Sequence, residues 1–415
     1  MKEYCLGEVV TLFDSLHKTP KSYSDDGYPM IRVTDVNRGF VSLEGTKKVP
    51  KDVFEEFSKK HKPTKGDIIF TRVGSYGNSC FVDKDNDFCL GQNTVCITPN
   101  TEILSPYYLY SFLNSFTAKA QIDSFISGSS QPTISLKSIK EIKVPIPSLK
   151  IQETISNAIF NYDNLIENNS HRIAILEDIT QSLYREWFVN FRYPGHADAV
   201  DASLDEKQGN QKLIDSPLGQ IPEGWEVKTA AEAITINPKT KLVKDGEKPF
   251  VGMKGLSEGS MVIGDIIEKT GNSGAKFING DTLFARITPC LQNGKTGYVL
   301  FLNPEQPVGF GSTEFIVLRE RDDLSSEFIY LLSRSNNFRE HAIQSMTGAT
   351  GRQRVHNDCF ASYYLPVPPK ELMNEFTKIV KPMFKSIFNL SRRNENLKKQ
   401  RDMLLPKLIS GKIEL

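Results

Sequence analysis

The strongest constraint on this 415-residue chain is that it is written twice. The stretch "VPIPSLKIQETISNAI", Val144 to Ile159, returns as "LPVPPKELMNEFTKIV", Leu365 to Val380, with the proline pair Pro145 and Pro147 falling on Pro366 and Pro368 at an offset of 221. Upstream the offset is 220: "ILSPYYLYSFLNSF" lies over "DLSSEFIYLLSRSN", and "GYPMIRVTDV" over "EKPFVGMKGL". "GDIIFTRV" lies over "GDTLFARI" at 214, so loops of different length separate matched segments. Matches that keep their order along both halves are a tandem duplication, and a fold that satisfies one half must satisfy the other.

Each half reads as a mixed α/β domain followed by a long helix. Gly66 to Val73 and Gly280 to Ile287 are short apolar runs opened by a Gly-Asp turn, and Asn93 to Thr98 and Glu314 to Leu318 repeat the strand signal. A helix then starts at a serine cap, Ser105 in the first copy and Ser325 or Ser326 in the second. Beyond each proline pair, steps of four and three pick out Ile151, Ile155, Ala158, Tyr162, Leu165, Asn169, Arg172, Leu176, Ile179 and Leu183, and then Leu372, Phe376, Ile379, Met383, Ser386, Leu390, Arg393, Leu397, Gln400 and Leu404. Taken alone, either stripe is an ordinary core face. Duplicated, the two predict an antiparallel pair of helices, each covering the other's seam, with the domains related by a pseudo-two-fold axis. Charge favours the pairing: Lys150 to Arg192 holds 4 basic and 6 acidic residues, Lys370 to Leu415 holds 11 and 5. Pro382 removes one helical hydrogen bond and predicts a kink or break in the second helix.

The resulting organisation is a first domain over 1–150, a first helix over 151–192, an acidic linker over 193–220, a second domain over 221–369, and a second helix with the C-terminal tail over 370–415. Tyr193 to Glu226 is poor in apolar residues and reads as an exposed connector ending in a Pro-Gly turn.

The copies share a framework but diverge in polar residues at three places. After the first strand both keep an arginine, Arg72 and Arg286, then split into "GSYGNS" and "TPCLQNGKT", which put Gly77 and Asn78 against Gln292, Asn293 and Lys295. "GQNT" against "GSTE" sets Gln92 and Asn93 over Ser312 and Thr313. "SGSSQPT" against "TGATGRQRV" sets Gln131 against Arg352, Gln353 and Arg354. Arg, Lys, Asn and Gln make paired contacts with guanine and adenine edges, while Ser, Thr and backbone amides hold phosphates. A kept framework with changed polar tips is what two readers of different short DNA sequences need, although solvated loops contain the same residue types.

Catalytic signatures are missing. There is no P-loop, no G-x-S-x-G and no N-P-P-Y or D-P-P-Y stretch, and the G-x-G at Gly309 to Gly311 lacks a third glycine. Glu141-Ile142-Lys143 resembles the end of a nuclease motif, but the second copy reads "SYY" at Ser362 to Tyr364. The 6 cysteines form no C-x-x-C and the 6 histidines no zinc spacing, so no metal is expected. No long apolar run and no signal-like start points to a membrane or to export, which leaves the cytoplasm as the expected compartment. The net charge of +1 neither requires nor excludes nucleic acid, because binding depends on local basic surface.

The order "PIPSLKIQETI" before a long helix, "SPLGQIPEGWE" opening the second variable region, "PVPPKELMNEF", and the ending "LLPKLISGKIEL" resembles the specificity subunit of type I restriction-modification systems over nearly the full chain. Met373 stands where the first helix has Gln152, a departure from that pattern. The resemblance implies a non-catalytic subunit without cofactor, whose two target-recognition domains each read half of a split, asymmetric target in the major groove of double-stranded DNA. The helices would act as spacer and dock two modification (methyltransferase) subunits, to which ATP-dependent restriction subunits add. A helix of nearly forty residues spans about 55–60 Å, enough to separate two half-sites. The other reading is a two-headed protein-binding adaptor with a helical neck; a fused nuclease or methylase of unknown motif stands behind both.

Overall fold

The computed structural model describes residues 2–127, 131–194, 212–242, 245–349 and 351–413. It divides into two units, Met1–Asn168 with Asn394–Leu415, and Asn169–Arg393. Each unit therefore holds one copy of the α/β domain and a stretch of both long helices, which run over Leu149–Phe188 and Lys370–Ile409.

In the first unit an antiparallel sheet has the order Val10–Asp14, Thr94–Pro99, Ile68–Thr71, Ser79–Phe81. The second unit repeats it with Thr235–Ile236, Phe315–Arg319, Thr282–Ala285, Thr296–Tyr298. The expected strands are thus the central ones, and they are buried because helices cover them: Pro106–Leu113 and Ser326–Arg334, capped at Ser105 and Ser325. The Ser325 hydroxyl accepts from the Phe328 N–H at 3.3 Å.

The repeated proline motif now has a structural reason. Lys143–Ile146 pairs antiparallel with Lys2–Cys5, and Tyr364–Val367 with Glu226–Thr229. In each unit the domain's first strand grips the short strand that leads into the long helix. A two-stranded ladder tolerates proline on its open edge, and the second proline stops the strand where the helix must begin. In the first unit Gln152 secures that start: its amide donates to the carbonyls of Ile103 and Pro147, both at 2.9 Å, and accepts from the Ser105 N–H at 2.8 Å. Met373 does without this network, buried, with the Ser325 hydroxyl 3.5 Å from its sulfur.

Within the first unit the two helices run antiparallel. The Asn394 amide donates to the Ile166 carbonyl at 3.1 Å, while Arg401, farther along one helix, pairs with Asp163, farther back on the other. In the second unit Trp187 and Phe188 pack on Phe376, with ring centroids at 5.6 and 4.7 Å.

The seam is displaced by about one residue from the expected phase. Buried positions run through Ile155, Ile159, Asp163, Ile166, Thr180, Tyr184 and Trp187, and through Phe376, Val380, Phe384, Ile387, Asn394, Arg401 and Leu405. Of the expected seam, Ile155, Asn169, Leu372, Phe376 and Leu390 are buried, and Tyr162, Leu165, Leu176, Leu183, Leu397 and Leu404 lie at its margin. Ile151, Ile179 and Ile379 are 40%, 39% and 40% exposed, and both Arg172 and Arg393 face solvent. Counting apolar letters misses the phase because the true stripe carries paired polar groups, which such a count scores against. The expected break at Pro382 is also absent. The helix is unbroken from Lys370 to Ile409, and Pro382 sits on its exposed side, where water satisfies the carbonyl left without a donor.

Much of the expected connector, 195–211, lies outside the described residues. The segment after it is not a loose linker: Leu213–Ser216 and Gly219–Pro222 form a hairpin, and Ile221 and Trp225 are buried in the second unit's core. Trp225 gathers Phe191 and Tyr193 around it, with centroids at 5.2 and 5.8 Å.

Candidate nucleic-acid interface

In each unit the three divergent segments meet at one end of the two central strands. In the first unit, Arg72 N–H donates to the Asn93 carbonyl at 2.9 Å, Gly74 N–H to Pro132 at 3.2 Å, and Val73 and Ser127 both bridge Thr133. In the second, Arg286 N–H donates to Glu314 at 3.0 Å, Thr288 N–H to Gln353 at 3.1 Å, and Ile287 and Thr347 both bridge Arg354. The bridges are equivalent residue for residue. Residues 128–130 and Thr350, within these segments, lie outside the described residues.

The two arginines kept in both copies build this junction and do not project from it. The Ile134 N–H donates to the Arg72 carbonyl at 3.0 Å while Arg72 Nε donates back to the Ile134 carbonyl at 3.2 Å, and Nη1 meets both oxygens of Asp14 at 3.0 and 2.9 Å. Arg286 repeats the latch: Val355 N–H donates to its carbonyl at 2.9 Å and its Nη2 donates to the Val355 carbonyl at 2.5 Å. Both arginines, read from the sequence as DNA contacts, spend these donors on the junction itself.

Several other candidates also serve the backbone. Gly77 is buried at φ +75°, and a Cβ there would lie 3.0 Å from Ile122 Cγ2. Asn78 ties its main chain to Thr71, and Asn93 takes a left-handed φ of 67° to turn the chain toward Arg72. The Ser312 hydroxyl accepts from the Glu314 N–H at 3.1 Å, and Gln353 N–H donates to Thr288 Oγ1 at 3.1 Å. Lys295 reaches the Met253 carbonyl at 3.3 Å and Asn293 donates to Glu258 at 3.1 Å. The exposed candidates are Gln92 and Gln131 in the first unit and Gln292, Asn293, Thr313, Arg352 and Arg354 in the second.

The residues missed are the acidic partners. Asp14 neutralises Arg72 from a strand 58 residues earlier. Glu314 takes Arg354 in a forked pair, with Nε at 3.0 Å from both carboxylate oxygens and Nη2 at 2.7 Å from Oε1. The guanidinium beside it holds the Glu314 carboxyl below the usual carboxylate range. Glu314 directly follows the divergent Thr313, so its position in the sequence was a usable signal; the pairing of Asp14 left none.

Among the described residues, one group has metal-ligand types together: His61, Asp67 and Cys96. Asp67 already accepts from Thr64 N–H at 2.8 Å and Thr98 Oγ1 at 2.6 Å, and burial pushes the Cys96 thiol up. The matching Asp281 likewise braces its strand turn, through Ile278 N–H at 2.8 Å and a forked pair with Arg319 at 2.7 Å. The carboxylate is a shared structural brace. No helix of the described residues is long and apolar enough to cross a membrane.

Residues 1–178 and 222–399 each match the family described as type I restriction modification DNA specificity domain. The chain belongs to this family. The match is made twice, once per copy, and membership makes it a DNA-specificity chain with no catalytic part of its own. Among curated relatives, the specificity subunit of type I restriction enzyme MjaIX from Methanocaldococcus jannaschii is 25% identical over 410 residues, covering 95% of this chain and 89% of that one. The HindI specificity subunit of Haemophilus influenzae is 24% identical over 470 residues, covering 99% of each. The fold matches the crystal structure of a type I restriction-modification S subunit from M. genitalium with a TM-score of 0.57 at 15% identity, over 98% of this chain and 95% of that one.

Proposed function

We propose that each unit of this chain reads one half of a split DNA target in the major groove, through the exposed tips of its three converging segments. The long helices set the gap between the halves and dock two modification subunits, to which restriction subunits add. Methyl transfer and ATP-driven cleavage then belong to those partners. The observation that carries this reading is the contrast between frame and tips: equivalent bridges close both junctions, yet the first exposes Gln92 and Gln131 and the second Gln292, Arg352 and Arg354. Amide side chains suit adenine and guanidinium suits guanine, so the same scaffold would carry two different half-sequences.

Enrichment from random duplex DNA by the full chain, co-expressed with the modification subunit of its own host, tests this. The expected product is two short conserved blocks separated by an unconserved gap of constant length. A single contiguous block, or retention without salt or sequence dependence, would instead favour the adaptor reading.

A further inference from the structure

We propose that Arg354, clamped by Glu314, is the residue with which the second unit selects a guanine. The inference rests on the reading that this unit's loop junction meets DNA. It starts from an asymmetry. Arg286 N–H meets the Glu314 carbonyl as Arg72 N–H meets that of Asn93, so Glu314 and Arg354 occupy the positions of Asn93 and Thr133 in the first unit, where the bridges Val73 to Thr133 and Ser127 to Thr133 close between uncharged residues. The first unit's ion pair joins Arg72 to Asp14 and leaves Thr133 out of it, so the bridge itself closes without a charge and the second unit's pair on Arg354 has another reason.

The geometry says which. Glu314 occupies the side edge of the guanidinium, taking Nε and one hydrogen of Nη2 at 2.7–3.0 Å. The end-on edge keeps Nη1 and the outer hydrogen of Nη2; its one other contact is the Arg352 carbonyl, at 3.5 Å from Nη1. Two parallel N–H groups on that edge match O6 and N7 of guanine, whereas adenine would bring its N6 amino donor against them. The side chain of Arg354 is 46% exposed, so this edge is open to a ligand while the carboxylate fixes its plane.

The pair also argues against a phosphate contact. With Glu314 beside it the charge of this guanidinium is offset, and a phosphate would meet the carboxylate as well as the guanidinium; a base edge meets only aligned donors. Arg352, two positions earlier, is exposed and its side chain has no partner among the described residues, which suits backbone attraction better. Glu314 is then a positioning residue, and Arg354 the one that touches the base.

The test is enrichment from random DNA, using the full chain with its modification subunit, of wild type, R354K, E314Q and the double variant E314N/R354T. The double variant borrows the residues that stand at these two positions in the first unit, Asn93 and Thr133, so the junction is kept while the base contact goes. Wild type should show a guanine within one half of the motif. R354K and E314N/R354T should lower the preference for it about 5- to 150-fold at that single column and leave the other half unchanged. E314Q should weaken the same column while leaving affinity for unrelated DNA equal or higher. Loss spread over every column, or no change in any column, overturns the assignment of Arg354 with the two-block reading intact. A wild type that enriches no split motif overturns both.

Discussion

The buried pair between Asp163 and Arg401 offers the sharpest energetic test of how the first unit is held together. Their side chains are only 3% and 7% exposed, and Tyr107 donates to the other Asp163 oxygen at 2.6 Å. Arg401 Nε also meets Asp402 at 3.0 Å, which in turn takes Arg38 at 2.7 Å. Replacing Arg401 by Met leaves a buried carboxylate with a single hydroxyl donor, and breaking such a pair from one side costs about 3–5 kcal/mol. Unit one comprises Met1–Asn168 and Asn394–Leu415, a size at which 1 kcal/mol shifts Tm by about 2–4 °C, so the expected drop is roughly 6–20 °C. In the second unit the aligned positions are Phe384 and Thr180, and Phe384 packs on Tyr298 and Tyr330 with centroids at 5.0 and 5.6 Å. An apolar solution therefore already exists in the same scaffold, and the double variant D163L/R401M should recover more than half of the loss. Denaturant unfolding of the full chain, with hydrogen exchange over 149–168 and 394–409 to assign the transition, reads both effects. A loss below about 1 kcal/mol for R401M, or additive losses in the double variant, would show that the pair is solvated and does not fix the helix register.

Arg72→Met should cost about 2 kcal/mol, from the lost charge-assisted bonds to Asp14, and leave the base preferences of the motif intact; altered preference without lost stability would restore it as a DNA contact. Glu177, on the first long helix, accepts from Ser260 Oγ at 2.6 Å and Met261 N–H at 2.7 Å, and burial raises its pKa above the ordinary 4.5. A folded-state carboxyl that holds its proton more tightly than the unfolded one costs stability at neutral pH, and that cost fades as pH falls through its folded value. E177Q should therefore equal or exceed wild type in Tm at pH 7 and lose that advantage as the pH is lowered, while E177A should cost about 1–3 kcal/mol by leaving two donors unmet. Four residues added to both helices, at 168–169 and 393–394, add about 6 Å and should lengthen the unread gap of the target by roughly two base pairs; an unchanged gap refutes the spacer role.

What could be read from the letters was whatever duplication writes twice. The strands at Ile68–Thr71 and Thr282–Ala285, the serine caps, and the strand-to-helix turn at each proline pair all recur in both halves. Long-range polar pairing was not legible. Asp163 with Arg401 and Arg72 with Asp14 join residues far apart in sequence, and no local periodicity carries their partners. That omission had two consequences. The seam was set one residue off because its buried polar members counted against it, and the structural partners of the shared arginines, Asp14 and Ile134 for Arg72 and Val355 for Arg286, were out of view. Arg354 was legible as a candidate from the divergence of the copies, but the role of its charge depends on Glu314, 40 residues away.

Two reading units on one chain should be separable. Exchanging residues 1–148 for the same region of another family member, with the modification subunit kept, and mapping methylated motifs across the host genome measures this directly. One half of the motif should change completely while the other half and the gap length stay as they were. Change in both halves, or in neither, would contradict the assignment of one half-site to each unit.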